Sequence, residues 1–470
     1  MTLFDRSRYQ TGLSCLRRRW YEYEYPTPDG GEVHGIRPAK GALPLVVGSA
    51  VHAGLATLLR GAGDGEGKIE EAVEEALHGG DGGFWPAIQA AGLQLEEGED
   101  APRVALEAAA IIEALLRAYA FKRLPLLMKG DSAQEFEVLE VEKEDTCDLG
   151  NGVTLMARAD ALLKEVCSGD LYVQSFKTAA SWDSRQEKAN RYDTQGLSEV
   201  MAVQARLDAD AAAATDPSGL LPSSRIMGIR MEFLLKGRRA QYPEGSGQWV
   251  TFSPLIRGYK TKDSVPGETR YAHSYDWLDP EDINPKTGRP VKHTLSYKVW
   301  EPFWVWEEPS LGEEGGRVKA WIEMLNSGEV QPEAGDTLAE AFVAPVPYFR
   351  QDEHVERLAR QMAARETRIA DDAGKVRNWL FMLRLTKTGS TRLTLKMVED
   401  DLDLFFPMNS AACAYPSLCP YAGICWEGAD PEQGLREGEW VARRPHHQPE
   451  MEMATVEPKE KEKEKEKTNV

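Results

Sequence analysis

Apolar and polar positions along the chain follow two rhythms. In residues 101–125, APRVALEAAAIIEALLRAYAFKRLP, apolar side chains recur every three or four positions. This predicts a helix, and Pro125 follows its end. IEEAVEEALHGG (69–80) predicts a shorter amphipathic helix stopped by a Gly pair. From residue 135 the rhythm changes. EFEVLEVEKE (135–144), VTLMARADALL (153–163) and DLYVQSFKTA (170–179) are strand-like, joined by the turn sequences LGNG (149–152) and CSGD (167–170). TQGLSEVMAVQARLDADAAAA (194–214) is helical and SRIMGIRMEFLLKGRR (224–239) returns to strand. Strand–strand–strand–helix–strand predicts a mixed α/β core. HVERLARQMAARETRIAD (354–371) predicts a helix packed on that core. Residues 240–350 are rich in Pro, Gly and Trp with short strand-like pieces, and the pattern leaves their topology open.

Composition narrows this picture. At about 100–200 residues per domain, 470 residues allow two to four domains, or one large domain with insertions. Hydrophobic residues at 42% and aromatics at 9% supply a core and exclude full disorder. No run of about 18 apolar residues occurs, so no transmembrane helix is expected. The start, MTLFDRSRYQTGL, lacks an apolar signal-peptide stretch. The expectation is a soluble, cytoplasmic protein with no membrane partner.

Fifty-six Lys+Arg against 76 Asp+Glu give a net charge of −20. That excludes indiscriminate coating of nucleic acid and leaves room for a local basic groove. Residues 64–100 hold eleven Asp/Glu against the single Lys68, which predicts a solvated insertion around the 69–80 helix. The terminal EPKEKEKEKEKTNV has no apolar face and predicts a disordered tail or a solvated single helix.

The candidate chemistry sits in two places. Six cysteines are too few for a disulfide scaffold, but three cluster in CAYPSLCPYAGIC: Cys413, Cys419 and Cys425. A fourth, Cys15, lies in SCLRRRWYEYEY. Four thiolates suit an iron–sulfur cluster or a structural zinc, and Pro416, Pro420 and Gly423 let the chain wrap around it. The competing reading is a set of unrelated buried cysteines. Cys147 and Cys167 read as ordinary, partly buried residues.

The second place is mid-chain. His52 lies in VVGSAVHAGLATLL, just inside a helix that follows Gly48-Ser49. Asp160 interrupts a strand where an acid needs a partner such as a cation. Lys177 ends the apolar strand LYVQSFKTA, where an ammonium is costly without an anion. A hairpin from Asp160 to Lys177 would bring both to one end of paired strands, and Gln195 on the next helix would reach the same pocket. An acid, an imidazole and an ammonium fit a hydrolytic site with a divalent metal.

Taken in order, Ser14-Cys15-Leu16-Arg17, Gly48-Ser49-Ala50-Val51-His52, Ala157-Arg158-Ala159-Asp160, Phe176-Lys177-Thr178, Gln195 and the late cysteine triplet resemble the PD-(D/E)XK nuclease superfamily. The likeness is to its RecB-like branch with an iron–sulfur cluster, which includes AddB-type subunits and phage or CRISPR-associated exonucleases. The resemblance implies a restriction-endonuclease-like α/β fold, with a mixed sheet flanked by helices, a helical insertion and a cysteine-held cluster joining the chain ends. It implies Mg²⁺ or Mn²⁺ held by His52 and Asp160 with help from the Phe176 carbonyl, Lys177 as the catalytic lysine, and Gln195 positioning DNA. Cys15, Cys413, Cys419 and Cys425 would hold a [4Fe–4S] cluster, with Zn²⁺ as the alternative. The implied partners are DNA, as single- or double-stranded ends, and a helicase or recombination protein. Residues 1–47 would then be a cluster-ligand segment, 48–134 a helical region with the acidic insertion, and 135–240 the nuclease core. Residues 241–405 would be a mixed insertion and helical region, 406–430 the cysteine segment and 431–470 the charged tail.

One departure is serious. The family has Asp or Glu two residues before the lysine, and here that residue is Ser175, preceded by Gln174. Three explanations compete. The acid has migrated to Glu142 or Glu199, Ser175 acts through a water, or the fold survives as a DNA-binding or scaffolding module. Arg17, Arg18 and Arg19 are candidates for DNA phosphates, as are Lys236, Arg238 and Arg239, and Trp20, Tyr21, Tyr23 and Tyr25 for stacking on bases. The opposing reading pairs the arginines with nearby acids and packs Trp20 into the core.

Overall fold

The structure is a computed structural model. It describes residues 2–27, 34–80, 82–95, 101–180, 182, 194–213, 225–241, 249–252, 257–259, 275–285, 287–288, 290–295, 300–302, 342–349, 351–385, 391–414, 418–444, 447 and 450–451. The N-terminus runs through β1 (Thr2–Asp5), α1 (Arg6–Ser14), α2 (Leu16–Arg19), β2 (Ile36–Pro38) and β3 (Gly41–Ala42). A helical layer follows: α3 (Leu43–Asp64), α4 (Ile69–His78), α5 (Phe84–Ala91), the short β4 (Leu93–Gln94) and α6 (Ala101–Lys122). The core is β5 (Phe136–Asp148), β6 (Val153–Glu165), β7 (Leu171–Ala179), α7 (Thr194–Ala213) and β8 (Ile226–Leu235).

Three small two-stranded pairs come next: β9 (Arg238–Gln241) with β10 (Trp249–Phe252), β11 (Arg257–Tyr259) with β14 (Trp300–Pro302), and β12 (Tyr275–Ile283) with β13 (Pro290–Leu295). The chain closes with β15 (Phe342–Phe349), α8 (Asp352–Leu385), α9 (Thr391–Phe405), α10 (Ala411–Ala414), α11 (Ala422–Glu427), α12 (Pro431–Glu437) and β16 (Trp440–Ala442).

The fold is mixed α/β, with one mixed sheet flanked by helices. Its order is β1-β6-β7-β8-β15, with β5 also on β6. β1 runs parallel to β6 and β7 parallel to β8, while the β5–β6, β6–β7 and β8–β15 pairs are antiparallel. β7 alternates cleanly. Tyr172 and Phe176 enter the core built by α3, α4 and α6, and Val173 enters the opposite core with Val200 and Val203 of α7. The α7 helix can lie this close to β8 because of Gly196, where a Cβ would come within 2.4 Å of Ile229 Cδ1.

The five principal core elements fall where periodicity puts them. Others differ. β1 adds a parallel edge strand from the first residues, so the start of the chain belongs to the sheet. The 69–80 helix buries Ala72, Val73 and Ala76 as its pattern expects, but the region around it is not simply solvated, because α5 buries Phe84 in the same core. α3 begins at Leu43, which puts His52 in mid-helix. This helix has the length and mean hydropathy of a membrane span, yet it lays one side against α6, α4 and β5. α8 is much longer than its periodic stretch suggests, running to Leu385. Ordered structure also continues beyond residue 430, because Trp440 stacks on Tyr421 and β16 pairs with β2. Most of 240–350 and all of 452–470 lie outside the described residues.

Candidate metal centre and thiol cluster

The sheet's register creates an opening beside Asp160. β5 pairs along one edge of β6, while the opposite edge is shared between two strands. β1 covers Val153–Met156 and β7 covers Ala161–Lys164. The ladder between β6 and β7 stops at Ala161 opposite Gln174, and beyond it the Phe176 N–H donates to Asp160 Oδ2 at 2.6 Å. The side chain takes over from the backbone where the strands part, which fixes the carboxylate's orientation.

From the helical layer, His52 Nδ1 meets Asp160 Oδ1 at 3.0 Å. From the other side, Val141 opposes Ala161 and Lys143 opposes Ala159, so Glu142 stands abreast of Asp160. Glu142 has φ +52°, the left-handed region that non-glycine residues rarely adopt, and it does so inside a strand. One potential ligand atom from each of His52, Glu142 and Asp160 lies within 4.8 Å of the others. Arg158 Nε pairs with Glu142 Oε2 at 2.9 Å.

The electrostatics follow from crowding in a half-buried pocket. Burial and the neighbouring Asp160 push Glu142 up to about 7, against the pull of Arg158 and His52. Burial acts on Asp160 in the same direction, but His52, Lys177 and the Phe176 N–H outweigh it and hold this carboxyl low. Burial disfavours a charged His52, yet Asp160 overrides it and raises the imidazole. Two acids that repel each other and an imidazole drawn toward its cationic form all call for positive charge at one point. The donors, one nitrogen and carboxylate oxygens, suit a divalent ion.

Lys177 lies near enough for its charge to act on His52, Asp160 and Glu199. Gln195 Nε2 donates to Glu199 Oε1 at 2.8 Å and approaches Ser175 Oγ at 3.4 Å, so it belongs to the same pocket. Ser175 is fully buried. The Phe176 ring packs edge-on against Tyr119, while its backbone N–H serves Asp160. Every mid-chain residue singled out from the sequence therefore converges. What the sequence hid is the Arg158–Glu142 pair and the left-handed backbone at Glu142, because strand alternation carries no sign of either.

The cysteines share a second neighbourhood, built from the two ends of the chain. Cys15 sits at the junction of α1 and α2, and Cys419 N donates to Cys413 O at 2.7 Å. Cys425 lies on α11, and Asn409 Nδ2 donates to Ser14 O at 2.7 Å. Burial pushes Cys425 up to about 11, and the charges of Cys419, Cys15 and Cys413 add to the shift against Arg17. Cys419 is raised likewise, so the four thiols share one neighbourhood. Among the described residues, no three of these sulfurs draw as close as the 4.8 Å group around Asp160. Cys147 is half-buried as expected, whereas Cys167 is exposed.

The cationic run next to Cys15 faces inward. Arg17 bonds the Phe406 carbonyl at 2.8 Å and Asp403 at 2.6 Å. Arg19 is fully buried between Glu24 and Glu366, each at about 2.8–2.9 Å. Arg18 is partly exposed and pairs with Glu22 at 2.8 Å. Trp20, Tyr21, Tyr23 and Tyr25 are buried. The expectation that Arg17–Arg19 and these rings form a DNA face is corrected: the pairing reading describes Arg17 and Arg19, and the rings are core. Lys236 Nζ donates to the Pro44 carbonyl at 2.6 Å, and the side chains of Arg238 and Arg239 lie outside the described residues. No protein-family model matches the chain, and no curated protein matches it.

Proposed function

We propose that this protein is a metal-dependent DNA nuclease of the PD-(D/E)XK type, with a restriction-endonuclease-like core and a thiolate-held [4Fe–4S] cluster. The observation that carries the reading is the convergence of His52, Glu142 and Asp160 within 4.8 Å, with Lys177 alongside. The missing acid at position 175 is answered by Glu142, one of the two migrated positions expected from the sequence.

In this mechanism Asp160, oriented by the Phe176 N–H, and His52 would hold Mg²⁺ or Mn²⁺, with Glu142 as a third donor whose charge Arg158 limits. When bound, the ion supplies Lewis acidity toward water and a non-bridging phosphate oxygen. The Lys177 ammonium directs the attacking water toward phosphorus and stabilises charge growing on the phosphate oxygens. Gln195 positions the scissile strand by hydrogen bonding. Lys177→Ala is expected to abolish Mg²⁺- or Mn²⁺-dependent cleavage of linear DNA while leaving metal binding in place. Cleavage undiminished in that variant would contradict the assignment.

For the thiols, a four-thiolate zinc with ~2.3 Å bonds needs sulfurs about 3.8 Å apart. The reading of a polynuclear cluster rests on the four thiols sharing one neighbourhood and on the likeness stated for the sequence. Anaerobically purified protein should be brown and contain iron, and a colourless, zinc-loaded sample would overturn this part. A second reading, a non-cleaving DNA-binding module, draws on Ser175, whose buried hydroxyl brings no ligand charge. It predicts DNA binding that survives Asp160→Ala and needs no divalent ion.

A further inference from the structure

The segment that follows β16 is held to the rest of the molecule by charge. Its root is fixed by the β16–β2 pairing and by Arg443, whose backbone N–H donates to the Gly35 carbonyl at 2.9 Å and whose Nε donates to the His34 carbonyl at 3.2 Å. Past that point two buried side chains, His447 and Glu450, reach back to the sheet and to α1. The Glu450 carboxylate lies between Arg443, at 2.8 Å, and Arg8 of α1, and both guanidiniums stand 5.3 Å from the centre of the Tyr23 ring. A carboxylate between two guanidiniums stays ionised across the neutral range, so this contact does not change with pH.

His447 is different. Its Nε2 faces Asp5 Oδ2 and its Nδ1 faces Glu144 Oε2, each at 3.4 Å. Only the imidazolium carries an N–H on both ring nitrogens, and a neutral ring turns a lone pair toward one of the two carboxylates. The side chain is 7% exposed, so little water shields that repulsion. Asp5 has a second commitment that keeps it ionised. It caps α1 by accepting the Arg8 N–H at 2.7 Å, and His447 and Arg8 outweigh burial to hold it well below the usual carboxylate range. Burial opposes a charged His447, but Asp5, Glu144 and Glu450 outweigh it and raise the imidazole. The groups around the ring are therefore Asp5 from β1 and Glu144 from β5, with Arg8 of α1 and Arg443 joined to them through Glu450.

We propose that the segment from Arg443 to Met451 is a proton-controlled latch, seated on β1 and β5 while His447 is cationic and loosened from them when the imidazole is neutral. A group raised in the seated state contributes its full hold below the ordinary histidine range and loses it as pH rises through the raised value. The constant Glu450 contact then carries the segment alone. The latch is independent of the chemistry assigned to Asp160.

The test is hydrogen–deuterium exchange of the full chain at pH 5.5 and pH 8.5, corrected for intrinsic exchange rates, with α6 as the internal control for an intact fold. In wild type, protection of residues 443–451 is expected to fall about tenfold or more at pH 8.5 while α6 stays unchanged. His447→Gln, which offers one donor and one acceptor to two acids, is expected to be poorly protected at both pH values. His447→Lys is expected to stay protected at both, and Glu450→Gln to lose protection at both while keeping the pH step. Equal wild-type protection at the two pH values, a wild-type pH step that survives in His447→Gln, a loss at pH 8.5 that persists in His447→Lys, or α6 opening in step with the segment would each overturn the proposal.

Discussion

At Glu142 the chain accepts two unfavourable features at once: a left-handed backbone at a non-glycine residue and a carboxylate held against Asp160. Both make sense if a cation offsets them, and both imply measurable costs without one. A carboxyl raised from 4.5 to about 7 is protonated in both folded and unfolded states at acid pH. It is charged in both above pH 7, so its penalty to the fold grows as pH rises between those values. Metal-free Glu142→Gln should match wild type in stability near pH 4.5. Above pH 7 it should exceed wild type by about 1–3 kcal/mol, as read from chemical denaturation.

The same protons compete with metal. His52 and Glu142 are both raised, so Mn²⁺ affinity should climb from pH 6 to pH 8, with protons released in proportion. Calorimetry in buffers of different ionisation enthalpy measures that release, and a pH-independent affinity would contradict the assigned ligands. His52, Asp160 and Lys177 were legible because each is the wrong polarity for its surroundings in the sequence pattern. Arg17 and Arg19 were legible as charges but not as buried ones: Glu24, five residues from Arg19, was in view, but Asp403 and Glu366, which complete the pairing, lie more than 340 positions away in sequence.

Elements bring those residues together through two local devices. The first is the parting of β6 and β7 beyond Ala161, which frees Asp160 to turn toward α3 and accept the Phe176 N–H. The second is the close seat of α7 on β8 at Gly196. An alanine there would place its Cβ 2.4 Å from Ile229 Cδ1, so the helix must lift or Ile229 must move. Gly196→Ala should cost about 1–3 kcal/mol in stability and, by displacing Gln195, reduce turnover more than it reduces Mn²⁺ binding. Thermal melts and cleavage kinetics on the same preparation check this. The central strands and helices were readable because each carries one clear periodicity. β1 was not, because four residues cannot establish a rhythm, and its pairing depends on the distant Val153–Met156. The order of structure after residue 430 was hidden for a similar reason, because Trp440 finds its partner in Tyr421 only once the chain has folded back.

Across the whole molecule, the two ends are closed onto each other. Cys15 joins the late cysteines, β2 pairs with β16, and Arg8 and Arg443 share Glu450. His447 sits between Asp5 and Glu144, each at 3.4 Å, and ties the C-terminal segment to β1 and β5. If these thiols hold the proposed cluster, ligation energy is folding energy, and Cys419→Ala should lower the melting temperature of the whole protein and reduce its iron content. Unchanged iron and unchanged melting would remove Cys419 from the proposed ligand set.

The central claim is that His52, Glu142 and Asp160 hold one divalent ion and that this ion cuts DNA. The most direct measurement is cleavage of linear DNA by cluster-intact wild type beside Asp160→Ala, in Mg²⁺ and in Mn²⁺. The account predicts metal-dependent cleavage by wild type and none by Asp160→Ala. Wild type that leaves every DNA form uncut in both metals, or Asp160→Ala that cuts as well as wild type, would contradict it.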